Sequence, residues 1–243
     1  MNFADIHIHA LFGVDDGPKT ERDMRRMVDA VYRDGTRVLC LTPHYHPGYF
    51  GENREKAEVS FGKLGEYVRE KYPDMELFLG NELRYSPEAV SWLAEGACRT
   101  MNGTDFVLVD FHQDEKQKTI VRALEGLMNG GYTPILAHAE RYPNLAGSTV
   151  RELARKGIWI QLDVQSLFGD GGFGAWLRSK ALLRARLVDV VSSDAHDLNR
   201  RVPGLAKGYR YVARKYTKAY ANGIFYENAV RILQGGNQED YGE

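Results

Sequence analysis

Short apolar runs alternate with longer stretches of helical period along nearly the whole chain. The first run, Phe3 to His9, gives way to a loop carrying Gly13, Asp15, Asp16, Gly17 and Pro18. Thr20 then reads as a helix N-cap with Asp23 three residues on, Met24, Met27, Val28 and Val31 share one helical face, and Gly35 ends the helix. Val38 to His44 has the pattern of a buried strand that stops at Pro43 and His44. Residues 52 to 71 read as a helix starting near Glu52, with Val59, Leu64, Tyr67 and Val68 inward, although Gly62 and Gly65 weaken it. Glu76 to Glu82 is a third run, followed by Pro87 at a helix start. Phe106 to His112, Thr133 to His138 and Ile158 to Asp163 are the fourth, fifth and sixth, trailed by helices near 118–128 and 149–156 and by glycine-rich residues 169–174 leading into a helix that ends near Arg184. Val188 to His196 is the seventh, and helical segments near 204–215 and 228–233 close the chain.

Seven strand-plus-helix units predict an α/β protein with a parallel sheet and right-handed crossovers. Strands that are apolar throughout are buried on both faces, as in a closed barrel or an open doubly wound sheet. No Gly-x-Gly-x-x-Gly directly follows a strand, the glycine-rich residues 169–174 standing apart from the run that ends at Asp163, which removes the main sign of a dinucleotide-binding sheet. The strand ends favour the barrel. His7, His9, His44, Glu82, His112, His138, Asp163, Asp194 and His196 all lie at or just beyond the end of a run, and in a parallel barrel those ends converge on one mouth. In the first run Asp5, His7 and His9 share one face of an extended segment, so two imidazoles can reach a single ion. Of the seven histidines only His46 falls slightly outside this pattern. The expectation is a distorted (β/α)7 barrel, one domain over residues 1–243.

Composition changes little in this picture. With 43% apolar and 27% charged residues, the 243-residue chain is of ordinary globular type. Its 32 basic and 33 acidic residues nearly cancel, leaving no field that would draw it to nucleic acid. The start, Met1 to Asp5, lacks the blocks of a signal peptide, and no run approaches the roughly 20 apolar residues of a membrane span, so a cytoplasmic location without membrane insertion is expected. Cys40 and Cys98 are too few for a disulfide framework or a thiolate metal site, and Cys40 reads as a small core residue. Imidazole and carboxylate donors without thiolate suit manganese, iron or zinc. Cations sharing a carboxylate would activate water for phosphate-ester hydrolysis, and arginines on the same mouth, Arg141 and Arg201 with Arg200 beside it, are candidate phosphate donors. Asp163 and Asp197 are candidate supporting acids, Asp5 a candidate for orienting a ligand imidazole, and Tyr45, His46, Tyr49 and Phe50 either an aromatic edge for a substrate ring or loop packing.

Taken in order, Asp5-Ile-His-Ile-His9, Asp15-Asp16-Gly17, Thr42-Pro43-His44, Glu82, His138-Ala-Glu-Arg141 and Ser193-Asp194-Ala-His196 resemble the PHP (polymerase and histidinol phosphatase) superfamily. More closely, they resemble its bacterial tyrosine-protein phosphatases of capsule and exopolysaccharide synthesis, the CpsB, CapC and YwqE type. The resemblance implies two or three divalent cations, most simply manganese. Position by position, it implies that His7, His9, Glu82 and Asp194 hold one ion, that Glu82 bridges to a second also bound by His138, and that Asp16, His44 and His196 hold a third. His112 is a departure: other branches place a histidine ligand of the second ion there, whereas the tyrosine-phosphatase branch often does not. The resemblance also implies phosphate binding by Arg141 and Arg201, and as substrate the phosphotyrosine-containing tail of a bacterial tyrosine kinase. The rival readings are a histidinol-phosphate phosphatase and a non-catalytic metal-binding module.

Overall fold

The computed structural model describes residues 2–50 and 53–236; Met1 and the expected helix start at Glu52 lie outside the described residues. Each of the seven apolar runs forms strand, and two of them break in the middle. The first gives β1 (Phe3–Asp5), and the second gives β2 (Thr36–Leu41) and β3 (His44–Tyr45). The third gives β4 (Glu76–Leu79) and β5 (Glu82–Arg84), and the rest give β6 (Phe106–Asp110), β7 (Thr133–Leu136), β8 (Trp159–Asp163) and β9 (Val190–Ser192). The second run breaks at Pro43, which has no N–H for the ladder; its carbonyl instead accepts from the Glu82 backbone N–H at 3.2 Å and the Asn81 side chain at 2.8 Å.

The strand pairings are parallel. One set runs β1-β2-β4 and the other β3-β5-β6-β7-β8-β9. The seven runs therefore neighbour one another in chain order. The ring closes through a parallel bridge between Ile8 and Ala195, with the Asp194 N–H donating to His7 O at 2.8 Å and the His9 N–H to Ala195 O at 2.9 Å. This is the expected barrel, distorted where its strands break.

Helices wrap the outside. Thr20 caps α1 (Glu21–Asp34) by accepting from the Asp23 N–H, and Gly35 ends it at φ 105°. Met24, Met27, Val28 and Val31 are its buried face, as the spacing predicts. α2 (Arg54–Lys71) buries Ala57, Ser60, Leu64 and Val68, whereas Val59, expected inward, is 54% exposed. Five residues before Leu64, Val59 sits about 140° around the helix and cannot share its face. α3 (Ala89–Ala94) begins two residues beyond Pro87; α4 (Gln117–Asn129), α5 (Gly147–Arg155), α6 (Gly172–Arg184) and α7 (Leu205–Lys215) follow near the predicted places. The segment after α8 (Lys218–Asn222) leads into α9 (Asn228–Gln234), whose Ala229, Ile232 and Leu233 close one end of the barrel interior. There they meet Cys40, Phe106, Ile135, Trp159 and Val190. Cys40 and Cys98 are free and buried. Among the described residues no helix is long and apolar enough to cross a membrane.

Candidate metal centre

At the opposite end, the C-terminal ends of the strands carry a buried polar cluster. His7 and His9 follow β1 with ring centres 5.4 Å apart, while Ile6 and Ile8 point away into apolar packing. His44 opens β3 and Glu82 opens β5, and the two are register partners in adjacent strands. Asp110 ends β6, His138 follows β7, Asp163 ends β8, and Asp194 and His196 follow β9. His138 (φ 33°) and Asp194 (φ 48°) both adopt the left-handed region, a strain of about 1 kcal/mol each that is common where a side chain must be aimed at a site. The loop after His9 passes so close to it that a Cβ on Gly17 would lie 2.2 Å from the His9 carbonyl oxygen.

Glu82 lies at the centre. Its Oε1 is 3.1 Å from His138 Nε2 and 3.3 Å from His7 Nε2, and its Oε2 is 2.8 Å from His44 Nδ1 and 3.2 Å from His9 Nε2. Asp194 Oδ1 is 3.3 Å from His7 Nε2 and 3.6 Å from His9 Nε2. Asp16 Oδ1 is 3.2 Å from His196 Nε2 and 3.4 Å from His44 Nε2. Four overlapping groups of donor atoms converge: His9, Asp16, His44 and His196; His7, His138 and Asp194; His7, His9 and Glu82; and Glu82, Asp110 and His138. The donors fit divalent cations. His7 Nε2, His9 Nε2, His196 Nε2 and Asp194 Oδ1 are buried without a hydrogen bond, an unfavourable state that cation ligation would relieve.

Surrounding groups fix which nitrogen points inward. Asp15 Oδ2 accepts from His9 Nδ1 at 2.7 Å, and Gln161 Oε1 lies 3.3 Å from His7 Nδ1, so both rings present Nε2 to the cluster. Gln161 also accepts from the His138 backbone N–H. Charge follows the same geometry. Burial works to raise the Glu82 carboxyl, but the imidazoles of His7 and His44 hold it well below the usual range. Burial likewise opposes charge on His7, yet Glu82 and Asp194 push it up to about 10. Cations entering this site would therefore displace protons. Asp110 is raised by burial and by the neighbouring Glu82.

Arg141 and Arg201 meet on Asp194. Arg141 reaches Asp194 Oδ2 at 3.0 Å and Asp163 Oδ2 at 2.6 Å, and Arg201 pairs with the same Asp194 oxygen. Both line a cavity of about 520 Å³ that opens beside the cluster. Arg200 lines it too but is exposed. Asp197 accepts from the backbone N–H groups of Asn199 and Arg200, shaping the loop that carries Arg201.

Several placements differ from expectation. His112 is exposed and joins none of the four groups; its Nδ1 accepts from the Asp114 N–H at 3.4 Å. Strand β6 ends at Asp110, so the chain has left the sheet before His112, and Asp110 occupies the position beside Glu82 and His138 instead. Asp5 orients no imidazole; its Oδ1 accepts from the backbone N–H groups of His7 and Ser193, tying β1 to the end of β9. Tyr45 is core, edge-on to Trp92, whereas Phe50 stacks on His44 and Tyr49 on His46. Gln161, Asp110 and Arg84, which pairs with Asp110 at 2.7 Å, were not singled out from sequence, and Asp15 was given no role there. For Arg84 and Asp110 the signal is cross-strand register, Arg84 opposite Asp110.

Comparison with known proteins decides the family. The sequence model described as "Capsular polysaccharide synthesis, CpsB/CapC" matches residues 3–234. The chain belongs to the CpsB/CapC family. Within it, the chain is 32% identical to the tyrosine-protein phosphatase CpsB of Streptococcus agalactiae serotype III (strain NEM316), over 95% of this chain and 98% of that protein. It is 29% identical to the tyrosine-protein phosphatase YwqE of Bacillus subtilis (strain 168), over 81% of this chain and 78% of that protein. A solved structure from work on YwqE of Bacillus subtilis and CpsB of Streptococcus pneumoniae, described as metal-dependent tyrosine phosphatases, superposes with a TM-score of 0.86 at 28% identity, covering 98% of this chain and 96% of that one. A histidinol phosphate phosphatase from Lactococcus lactis superposes with a TM-score of 0.59 at 16% identity, over 88% of this chain and 94% of that one, a likeness of fold alone. The chain thus shares its barrel with that solved structure of the tyrosine phosphatases, and its length with the Streptococcus agalactiae relative.

Proposed function

We propose that this chain is a metal-dependent protein-tyrosine phosphatase acting on the phosphotyrosine-containing tail of a polysaccharide-synthesis tyrosine kinase in the cytoplasm. The observation that carries the reading is the shared Asp194: one oxygen faces the imidazoles of the cation-binding cluster, and the other holds Arg141 and Arg201. Phosphate-binding guanidiniums and cation ligands are thereby fixed a few ångströms apart. In this reading His7, His9, Glu82 and Asp194 hold one ion, Glu82, Asp110 and His138 a second, and Asp16, His44 and His196 a third, with manganese the favoured metal. Bound divalent cations supply Lewis acidity and a water activated at neutral pH.

The chain's own residues do the rest. Glu82 is shared between donor groups and keeps them at fixed spacing. Arg141 is anchored by buried Asp163, so its fork is held ready for equatorial phosphate oxygens and strengthens its hold as charge builds in the transition state. Arg201, half-exposed, closes over the phosphate from the loop after His196. His112 lines a cavity of about 350 Å³ with Arg84, Arg141 and Arg201, at the rim where substrate enters. A phenolate leaves with a pKa near 10, so no dedicated general acid is needed.

The test combines elemental analysis of the purified protein with a phosphatase panel, assayed with added manganese and with chelator. A phosphotyrosine peptide should be hydrolysed with manganese, and chelator should abolish turnover. A kcat/KM advantage for histidinol phosphate would replace the assignment with the rival phosphomonoesterase.

A further inference from the structure

Helix α6 exposes what a barrel helix ordinarily buries. Phe173 is 72% exposed and Leu177 47% exposed, and Ala181, one turn on, is exposed as well. Spaced four apart, the three form one stripe, while Ala175, Ser179, Leu182 and Leu183 are the buried face. Isolated exposed apolar side chains are ordinary, but a row along one helix marks an interaction surface.

A groove lies on each side of the stripe. One, of about 450 Å³, runs between α5 and α6 over Leu145, Val150, Leu182 and Leu187. The other, of about 420 Å³, is bounded by Leu177, Ala181, Lys215 and Tyr216. Arg151, Arg178 and Arg184 edge the first, Lys180, Arg184 and Lys215 the second, and no carboxylate lines either. What these cations do contact is neutral: Arg178 donates to the Glu140 carbonyl at 2.6 Å, Lys180 to the Leu167 carbonyl at 2.7 Å and Lys215 to the Tyr211 hydroxyl at 3.0 Å. The stripe also starts at the candidate active site, because Asp170 and Gly171, just before α6, line the cavity that holds Arg141 and Arg201.

We propose that this face of α6 docks an acidic polypeptide segment bearing apolar or aromatic side chains, the segment being the part of the substrate protein that flanks its phosphotyrosine. The proposal rests on the phosphatase reading for the link to the phosphotyrosine, and on the surface alone for the docking. Apolar side chains would cover the Phe173–Leu177–Ala181 stripe and enter the two grooves, and carboxylates would meet unpaired guanidiniums, a pattern that gives both burial and steering. The 13 residues of α6 span about 20 Å, which an extended segment of about six residues covers. An anionic bilayer could satisfy the charges, but concave grooves on either side of a ridge accept side chains better than a flat surface.

The test compares two phosphotyrosine peptides, one flanked by six residues of alternating glutamate and leucine or phenylalanine, the other by glycine and serine. Wild-type protein should favour the acidic peptide by about tenfold in kcat/KM, mostly through KM. The double substitutions Arg151→Glu/Arg184→Glu and Phe173→Ser/Leu177→Ser should each abolish that preference, with p-nitrophenyl phosphate turnover kept within about twofold. Equal kcat/KM for both peptides in wild type, or a preference that survives both variants, would overturn the proposal. So would sedimentation with phosphatidylglycerol vesicles that the same substitutions abolish while peptide preference persists, which would reassign the face to a membrane. If neither peptide nor p-nitrophenyl phosphate is hydrolysed, the phosphatase reading falls, and fluorescence anisotropy of a labelled, unphosphorylated acidic peptide on wild type and variants still decides the surface.

Discussion

The two ends of the barrel interior are made by the same strands and have opposite chemistry. At one end Phe106 and Trp159 meet edge to face at 5.3 Å, packed with Ile135 and Val190 and closed off by Ile232 and Leu233 of α9. At the other, only a few residues along each strand, Glu82, Asp110, Asp163 and Asp194 crowd among imidazoles, two backbone positions are left-handed, and several buried polar atoms lack a hydrogen bond. One end gains free energy by burying apolar area and pairing rings. The other costs free energy until something binds. The contrast shows how a fold sustains a strained site: the stabilising and reactive groups share strands but not layers, so the first can hold the second in place.

Three experiments break or sharpen that contrast. Trp159→Ala should produce the largest change, a loss of about 3–5 kcal/mol in unfolding free energy from a fully packed aromatic site. Below its lowered melting temperature the variant should keep near-native kcat with an aryl phosphate. Loss of turnover in protein that is still folded by circular dichroism would mean the two layers are not separable. Arg141→Ala probes the opposite layer. It should lower kcat for an aryl phosphate at least about a hundredfold, the scale of removing a charge-stabilising donor, with the native circular dichroism spectrum retained; wild-type-like turnover would remove Arg141 from the mechanism.

The smallest effect concerns Asp189, which sits at the apolar end just before β9 and accepts from the Ile160 N–H at 2.8 Å. Burial raises its carboxyl from 3.8 to about 7. The folded state therefore keeps this proton when the unfolded chain has lost it. The stability it contributes is complete below pH 4 and disappears as pH rises through about 7. Asp189→Asn should flatten that decline relative to wild type in denaturant titrations from pH 4 to 7. Identical slopes would show that Asp189 is not the titrating group.

Much of this was legible in the sequence because strands and barrel mouths follow local rules. Apolar runs of strand length identified the seven units, the Thr20 cap and Gly35 end bounded α1, and histidines and carboxylates at the run ends marked the face where they meet. Periodicity misplaced Val59 because Leu64 and Val68 alone left the inward face of α2 underdetermined. The choice between Asp110 and His112 was invisible locally, since both alternate onto the same face and only the point where β6 leaves the sheet separates them.

Apart from the choice between Asp110 and His112, the sequence by itself determined the candidate cation donors and the run end at which each would sit, since strand length, side-chain alternation and the position of Pro43 depend on near neighbours. Only the tertiary structure decided that Gln161 would fix His7, that Asp163 would hold Arg141, and that Asp194 would join the two arginines to the imidazole cluster. His7 and Gln161 alone are 154 positions apart. They are set by strand register and ring closure, which no local pattern encodes.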